Sequence, residues 1–368
     1  MEEVVSDRID VSLILPSRNE AANIATSIDR AKQVLTGYNF EIIIVDDNSP
    51  DGTSDIVRDI AATDHRVRII ERIGRRGLAS ACIEGAMAAS GRVIAVMDAD
   101  LQHDEAILPA LVQTVLDDEA ELAIGSRYVG DGGTGDWQDD RKAKSALATR
   151  LARITMKTEL SDPMSGFFAV KADLFRQLVP NMTGRGFKIL LDLVFASKRP
   201  LRIKEIPFVF RTRGEGESKL DTAISLQFLM MLYDQKFGHL VPARFILFAL
   251  VGGLGVFVHM AVLFCLHKGL GTSFLVGQSG AVIVAMTYNY LLNNLLTFRD
   301  VRLKGWGLLK GWATFSLVCG LGAIANVGVA SYLFAQGYVM WTVSALAGIL
   351  IGAVWNYVMA SRFTWGQL

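Results

Sequence analysis

Val93-Ile94-Ala95-Val96-Met97-Asp98-Ala99-Asp100-Leu101-Gln102-His103 decides how the first half of this chain is read. Five apolar residues end on two carboxylates spaced by one. A short apolar run rich in β-branched residues and closed by acids reads as a strand buried on both faces. Residues i and i+2 at such a strand end point the same way, so Asp98 and Asp100 can face one cation. Gln102 stands two positions further and offers an amide oxygen on that side if the extended geometry continues. Small divalent cations such as Mg²⁺ bridge one or two carboxylates to substrate phosphates, and Mn²⁺ suits the same oxygen ligands. A bare Asp-x-Asp is more often two surface acids. Here the apolar strand before it and a second acidic strand end elsewhere favour the metal. His103 reads either as structural or as a residue behind the metal ligands.

Outward from that strand, Val11–Leu15, Glu41–Val45, Val67–Ile70 and Leu122–Ile124 repeat the pattern. Segments around Ala21–Leu35, Ser54–Ala62 and Leu78–Ser90 read as helices. The alternation predicts an α/β domain with a mostly parallel sheet covered on both faces. Ligands on such sheets gather beyond the carboxyl ends of the strands. Val11–Leu15 runs into Pro16-Ser17-Arg18-Asn19-Glu20, and Glu41–Val45 into Asp46-Asp47-Asn48-Ser49-Pro50-Asp51. If these strands are neighbours, their carboxylates converge with Asp98 and Asp100 on one edge.

The chain has 368 residues, enough for about two domains. It is 51% apolar, high for a soluble protein. A net charge of zero hides an asymmetry: Val241 to Leu368 carries seven Lys/Arg and a single acid, Asp300, leaving 30 basic and 36 acidic side chains before it. No dense basic stripe points to nucleic acid. Cys82, Cys265 and Cys319 are scattered without metal spacing and read as small residues in a reducing compartment.

The second half holds four apolar segments, Val241–Leu266, Thr272–Phe298, Leu309–Ala335 and Val339–Phe363. Each is long enough to span a bilayer core, which takes about 20 residues. Arg299, Arg302, Lys304 and Lys310 lie between the second and third, Arg244 precedes the first, and Arg362 closes the fourth. The opposite side has Lys268 with His267. Positive residues stay inside, which predicts a multi-pass inner-membrane protein with both termini cytoplasmic. The charged start Met1-Glu2-Glu3-Val4-Val5-Ser6-Asp7-Arg8 lacks an apolar core, which agrees with a cytoplasmic front domain. Gly252-Gly253-x-Gly255 and Gly320-x-Gly322 suit close helix packing. In Asp221–Gly238, Ile224, Phe228, Met231 and Leu232 fall at helical spacing, either as an interfacial helix or as a core helix of the front domain. The expected domains are residues 1–220, an interfacial helix or linker at 221–240, and a four-helix membrane domain at 241–368.

Six ordered motifs add a resemblance. They are Pro16-x-x-Asn19-Glu20; Asp46-Asp47-x-Ser49-Pro50-Asp51-Gly52-Thr53; Asp98-Ala99-Asp100-Leu101-Gln102-His103; Gly125-Ser126-Arg127-Tyr128; Asp162-Pro163-Met164-Ser165-Gly166-Phe167-Phe168; and Gly216-Glu217-Ser218-Lys219. Together they resemble the dolichol-phosphate mannose synthases among the family 2 glycosyltransferases, whose catalytic fold is the GT-A nucleotide-sugar-binding sheet. The four-helix tail is similar to the membrane domain fused to some archaeal and bacterial members. The resemblance implies that Pro16, Arg18, Glu20, Val45 and Asp47 hold the nucleoside. It implies Asp98, Asp100 and Gln102 at the metal, Mg²⁺ or Mn²⁺, with Ala99 lining the pocket. It also implies Arg127, Arg141, Arg213, Lys219 and, more weakly, Lys188 at phosphate groups. Asp100, Arg127 and Arg141 are the implied catalytic set. GDP-mannose is the implied donor, a dolichyl or undecaprenyl monophosphate the acceptor, and the sugar carbon is inverted. Arg18 stands where many relatives carry an aromatic residue. Arg213 takes the arginine role because Arg-x-x-Gly-Glu-Ser-Lys keeps its distance to Lys219, while Arg211 reads equally as structural.

Elementary chemistry agrees. A metal on the diphosphate stabilises the leaving nucleoside diphosphate. The acceptor phosphate is already anionic, so the site must supply alignment and charge compensation more than a strong base. The planar fork of arginine suits phosphate. Arg141, after Trp137-Gln138-Asp139-Asp140, is the choice for the acceptor phosphate. Competing readings are the same transfer from UDP-glucose or another nucleotide sugar, a glycolipid transporter or flippase with a regulatory front domain, and a non-catalytic nucleotide-sugar binder.

Overall fold

The computed structural model describes residues 8–133, 159–184, 188–211, 230, 232–234, 237–238, 240–335 and 341–366. The chain divides into two compact units, Met1–Leu220 and Asp221–Leu368.

In the first unit the chain runs β1 (Val11–Ser17), α1 (Ile24–Val34), β2 (Phe40–Asp46), α2 (Thr53–Thr63), β3 (Val67–Glu71), α3 (Leu78–Ala88) and β4 (Val93–Val96). It continues through α4 (Leu108–Leu116), β5 (Leu122–Ser126), β6 (Phe168–Lys171), α5 (Ala172–Leu178), α6 (Ile189–Ala196) and β7 (Ile203–Pro207). The seven strands form one sheet in the order β3-β2-β1-β4-β6-β5-β7. β3, β2, β1 and β4 are parallel neighbours, with Ser17 opposite Asp46 and Ile14 opposite Val96. β6 runs antiparallel between β4 and β5, and β7 pairs parallel with β5. The sheet is therefore mixed, with its parallel half where the acidic strand ends lie. Reading apolar runs alone misses β6 and β7: β6 ends its short apolar run on Lys171, and β7 places Lys204 and Glu205 together between its two isoleucines at the sheet edge.

All seven residues of β1 are buried. Leu13 and Leu15 join Ile24, Ile28, Val57, Leu111 and Val112 on the α1, α2 and α4 side. Ile14 and Val45 join Ala79, Cys82, Phe175 and Leu190 on the α3, α5 and α6 side. Burial on both faces is why these strands read as unbroken apolar runs. Each such aliphatic side chain contributes about 1.5–3 kcal/mol when fully buried. A Cβ on Gly85 would lie 2.6 Å from Ile14 Cγ2 and 2.8 Å from Val45 Cγ2, so α3 reaches the sheet because that residue is glycine.

The second unit contains α7 (Ala243–Phe264), α8 (Phe274–Leu292), α9 (Trp306–Ala335) and α10 (Trp341–Met359). π-helical turns extend α7, α8 and α10 through Gly269, Thr297 and Thr364. Among the described residues, three stretches are long and apolar enough to cross a membrane: Ala243–Gly269, Phe274–Thr297 and Trp306–Ile324. Val256, Phe257, Leu275, Leu317 and Ile324 are exposed, as lipid-facing surface requires. The expected interfacial helix falls mostly outside the described residues.

Adding 67 to a residue number in the first hairpin finds its counterpart in the second. The pairs are Phe248 and Phe315, Gly255 and Gly322, Asn289 and Asn356, Tyr290 and Tyr357, Thr297 and Thr364, and Phe298 and Trp365. The contacts obey the same exchange. Phe248–Tyr357 and its image Tyr290–Phe315 both have ring centroids 5.7 Å apart. Phe298 stacks on its own counterpart Trp365 at 4.1 Å and 6°. The membrane unit is thus two similar hairpins about a pseudo-two-fold, the parallel-repeat arrangement. A Cβ on Gly255 would meet Asn289 Oδ1 at 2.3 Å, and one on Gly322 would meet Asn356 Oδ1 at 1.9 Å. Gly252, Gly253 and Gly320 face open space, so the close packing expected of the glycine runs falls on Gly255 and Gly322.

Candidate active site

The carboxyl ends of β2, β1 and β4 lie side by side. The chain steps outward from β1 to β2 and β3, then returns to β4 on the other flank of β1. That reversal opens a crevice between β1 and β4, where α/β sheets bind ligands.

The loops after β1 and β2 are stitched together. Asn19 N–H donates to Ser49 Oγ (2.9 Å), Glu20 N–H to Thr53 Oγ1 (3.0 Å), and Ala21 N–H to Asp51 Oδ2 (3.0 Å). Asp51 is partly desolvated, yet bonds from Thr53 and Ala21 hold its carboxyl below the usual range. Asn19 and Asn48 take positive φ, which asparagine tolerates. Pro16 and Val45 are buried, Glu20 accepts from Asn23 Nδ2 (2.8 Å), and Arg18 is exposed at the rim.

Asp46 and Asp47 have separate tasks. Asp46 is fully buried and accepts from Ser17, Ser49 and Ser54 side chains, so it builds the turn. Asp47 Oδ1 accepts from Arg72 Nη1 (2.7 Å) and Oδ2 from Gly77 N–H (2.7 Å). Arg72 is itself buried and also donates to Gly77 O and Ser80 Oγ. Its Nε lies 3.0 Å from Glu84 Oε2, an ion pair without hydrogen-bond alignment. Arg72 was not singled out in the sequence. Its signal was a basic residue at the carboxyl end of β3, next to the other polar strand ends.

β4 ends at Val96, and the extended geometry does not continue to Gln102. Leu101 takes φ 62°, a left-handed turn that costs a residue with a Cβ roughly 1–2 kcal/mol. Gln102 N–H donates to Asp100 Oδ1 (3.2 Å). The Gln102 side chain folds inward, and its Nε2 donates to Arg211 O (3.1 Å) while Arg211 N–H donates to Gln102 O (2.8 Å). Asp98 and Asp100 are half-buried, whereas Ala99 is buried and its carbonyl accepts from Ser27 Oγ (2.8 Å). His103 Nδ1 accepts from Asp98 N–H (3.2 Å), and its ring stacks on Phe167 at 5.1 Å. Burial lowers the His103 pKa to about 4, against the pull of Asp100, so the ring is neutral at pH 7. Arg211 pairs with Asp104 and Glu105, a structural role.

Among the described residues no group of three or more His, Cys, Asp or Glu side chains could hold a metal by itself. Two carboxylates with substrate phosphates are the usual protein share for Mg²⁺. Room exists beside them: a Cβ on Gly166 would lie 3.0 Å from Asp98 Oδ2, so the glycine leaves that carboxylate uncrowded.

Arg127 follows β5 and is buried. Its Nε and Nη2 donate to Asp162 Oδ2 and Oδ1, each at 2.7 Å. Burial, the largest single influence, would ease its proton off, but the Asp162 hydrogen bonds together with the charges of Asp162, Tyr128 and Asp98 outweigh it and keep it cationic. Lys188 Nζ donates to Met164 O (3.2 Å). Arg141, Arg213 and Lys219 lie outside the described residues.

Fold and site together define an α/β domain with an acidic switch-point crevice, in a chain that also carries a unit of helices long and apolar enough to cross a membrane. Residues 12–179 match "Glycosyl transferase family 2", and residues 247–365 match "GtrA/DPMS, transmembrane domain". A dolichol-phosphate mannosyltransferase of Pyrococcus furiosus is 33% identical over 96% of this chain and 99% of its own length. Those of Mycosarcoma maydis and Saccharomyces cerevisiae are 39% and 38% identical, over 65% and 62% of this chain and 84% and 89% of theirs. Among solved structures, glucosyl-3-phosphoglycerate synthase from Mycobacterium tuberculosis, with Mn²⁺, UDP-glucose and phosphoglyceric acid, is 22% identical at TM-score 0.47, covering 62% of this chain and 79% of that one. The chain belongs to the family 2 glycosyltransferases, with a C-terminal membrane domain, and is related to the dolichol-phosphate mannosyltransferases. It is an enzyme, a glycosyltransferase.

Proposed function

We propose that the protein transfers mannose from GDP-mannose, with inversion at the sugar carbon, to a dolichyl or undecaprenyl monophosphate at the cytoplasmic membrane face. The observation that carries this reading is the pair Asp98 and Asp100 at the β1–β4 crevice, with the Arg127 cation within electrostatic reach of Asp98. Relatives named as dolichol-phosphate mannosyltransferases support the choice of sugar and acceptor.

Asp98 and Asp100 would hold Mg²⁺ or Mn²⁺. The Gln102 amide oxygen, the end of that side chain not given to Arg211, would join them only if the side chain turned outward. When bound, the cation stabilises the diphosphate leaving group. Asp47, kept in place by Arg72 and Gly77, takes donor groups of the nucleoside, while Pro16, Arg18, Glu20 and Val45 shape its pocket. Arg127, Arg141, Arg213, Lys219 and Lys188 balance the phosphates. All four helices α7–α10 span the bilayer, with Arg299, Arg302 and Lys304 on the cytoplasmic side.

The test is a panel of labelled nucleotide sugars incubated with membranes, undecaprenyl phosphate or dolichyl phosphate, and Mg²⁺ or Mn²⁺. A mannolipid formed from GDP-mannose is expected. A glycolipid formed only from UDP-glucose overturns the donor assignment.

A further inference from the structure

The segment Asp162–Phe167 touches both charged sides of the site. Asp162 is fully buried. It binds Arg127 three times, through Nε, Nη2 and, at 3.1 Å, the backbone N–H. It is anchored from behind: Asp162 N–H donates to Glu205 Oε1 (3.1 Å), and Ser161 N–H to Glu205 Oε2 (3.0 Å). Ser165 Oγ donates to Gly125 O (2.7 Å), tying the segment to β5 just before Arg127. Four residues beyond Asp162, Gly166 backs the Asp98 carboxylate. The same six residues therefore set where the cation Arg127 stands and how much room Asp98 has.

A guanidinium presents its donors in a rigid plane. Taking the Nε–Nη2 edge fixes that plane and the direction of the opposite edge. A buried ion pair is weak evidence for stability, because desolvating two charges offsets most of their attraction. A pair this well anchored, beside the reacting groups, is better explained by orientation. We propose that Asp162 is a positioning residue of the transfer reaction, aiming Arg127 at a phosphate group while the strap that carries it holds Asp98 clear. This rests on the reading that Arg127 meets phosphate.

The test compares Asp162→Asn, Arg127→Gln and Arg127→Gln/Asp162→Asn in the full chain, with GDP-mannose and undecaprenyl phosphate. Turnover is expressed per GDP·Mn²⁺-binding site, so unfolded protein drops out. The double variant removes both buried charges, which guards against Arg127→Gln failing to fold with Asp162 unpaired. Misaiming a catalytic contact costs about 100-fold. Asp162→Asn should lower kcat by about that factor while GDP·Mn²⁺ affinity stays within about threefold. The double variant should be no worse than Arg127→Gln, because residues that act through one another are not additive. Turnover of Asp162→Asn within threefold of the parent overturns the proposal, as do losses that multiply in the double variant. If Arg127→Gln turns over normally, the phosphate role of Arg127 itself fails, a result distinct from failure at Asp162 alone.

Discussion

Asp100 and Asp98 differ from the many acids on this surface by their place just past β4, beside the crevice where the strand order reverses. Asp100→Asn keeps size and hydrogen bonding but removes a charge from the proposed metal site. Metal-dependent glycolipid formation is expected to fall by at least about 100-fold, with GDP-mannose supplied at saturation. Unchanged turnover would remove Asp100 from the proposed metal site. His103 supports the same loop from behind. The unfolded chain takes up its proton from pH 6.5 downward, the folded one only near pH 4. Its contribution to stability is therefore complete above pH 6.5 and is lost as pH falls toward 4. Melting midpoints of the full chain across that range should drop, and His103→Asn should flatten the slope there.

At the scale of elements, two close approaches carry predictions. Gly85→Ala would gain about 1 kcal/mol of helix propensity. Against that stand the γ carbons of Ile14 and Val45, both buried and unable to retreat, and overpacking of this kind costs about 1–3 kcal/mol. The clash wins, so thermal denaturation should show a net loss. In the membrane unit, Gly255→Ala and Gly322→Ala should each lower the melting midpoint in detergent, by similar amounts, because each collides with the asparagine of its own hairpin. Asn289→Ala should rescue Gly255→Ala but not Gly322→Ala. Equal rescue of both would contradict the pairing. The repeat behind this symmetry was present in the sequence all along. It is hidden because Phe248, Tyr290, Phe315 and Tyr357 lie inside long apolar stretches, and only the contacts pair them.

For the whole molecule, the distribution of positive charge predicts a topology. Single cysteines placed at Lys268 and Arg302 should label from opposite sides: Lys268→Cys by an impermeant thiol reagent on intact cells, Arg302→Cys only after the membrane is opened. Labelling of both from one side would overturn the four-span arrangement. Deleting residues 241–368 should leave GDP·Mn²⁺ binding intact, since the first unit holds its own two-sided core.

Local chemistry is legible along one dimension. The first five strands, the three front helices, the charge asymmetry, the membrane segments and the Asp98-x-Asp100 motif all follow from periodicity and residue type, because each is read along the chain without knowing what packs against it. What only the tertiary structure decided is pairing across distance. Nothing near Asp47 in sequence announces Arg72, and nothing near Arg127 announces Asp162, since a buried charge chooses its partner by where the chain returns. The mixed half of the sheet escaped for the same reason: β6 and β7 are strands because β4 and β5 offer them hydrogen bonds. Even the opening motif changed in this way. Its two carboxylates stand just past the end of β4, but Leu101 turns the chain and Arg211 claims one end of the Gln102 amide, a contact set by the backbone arriving from β7.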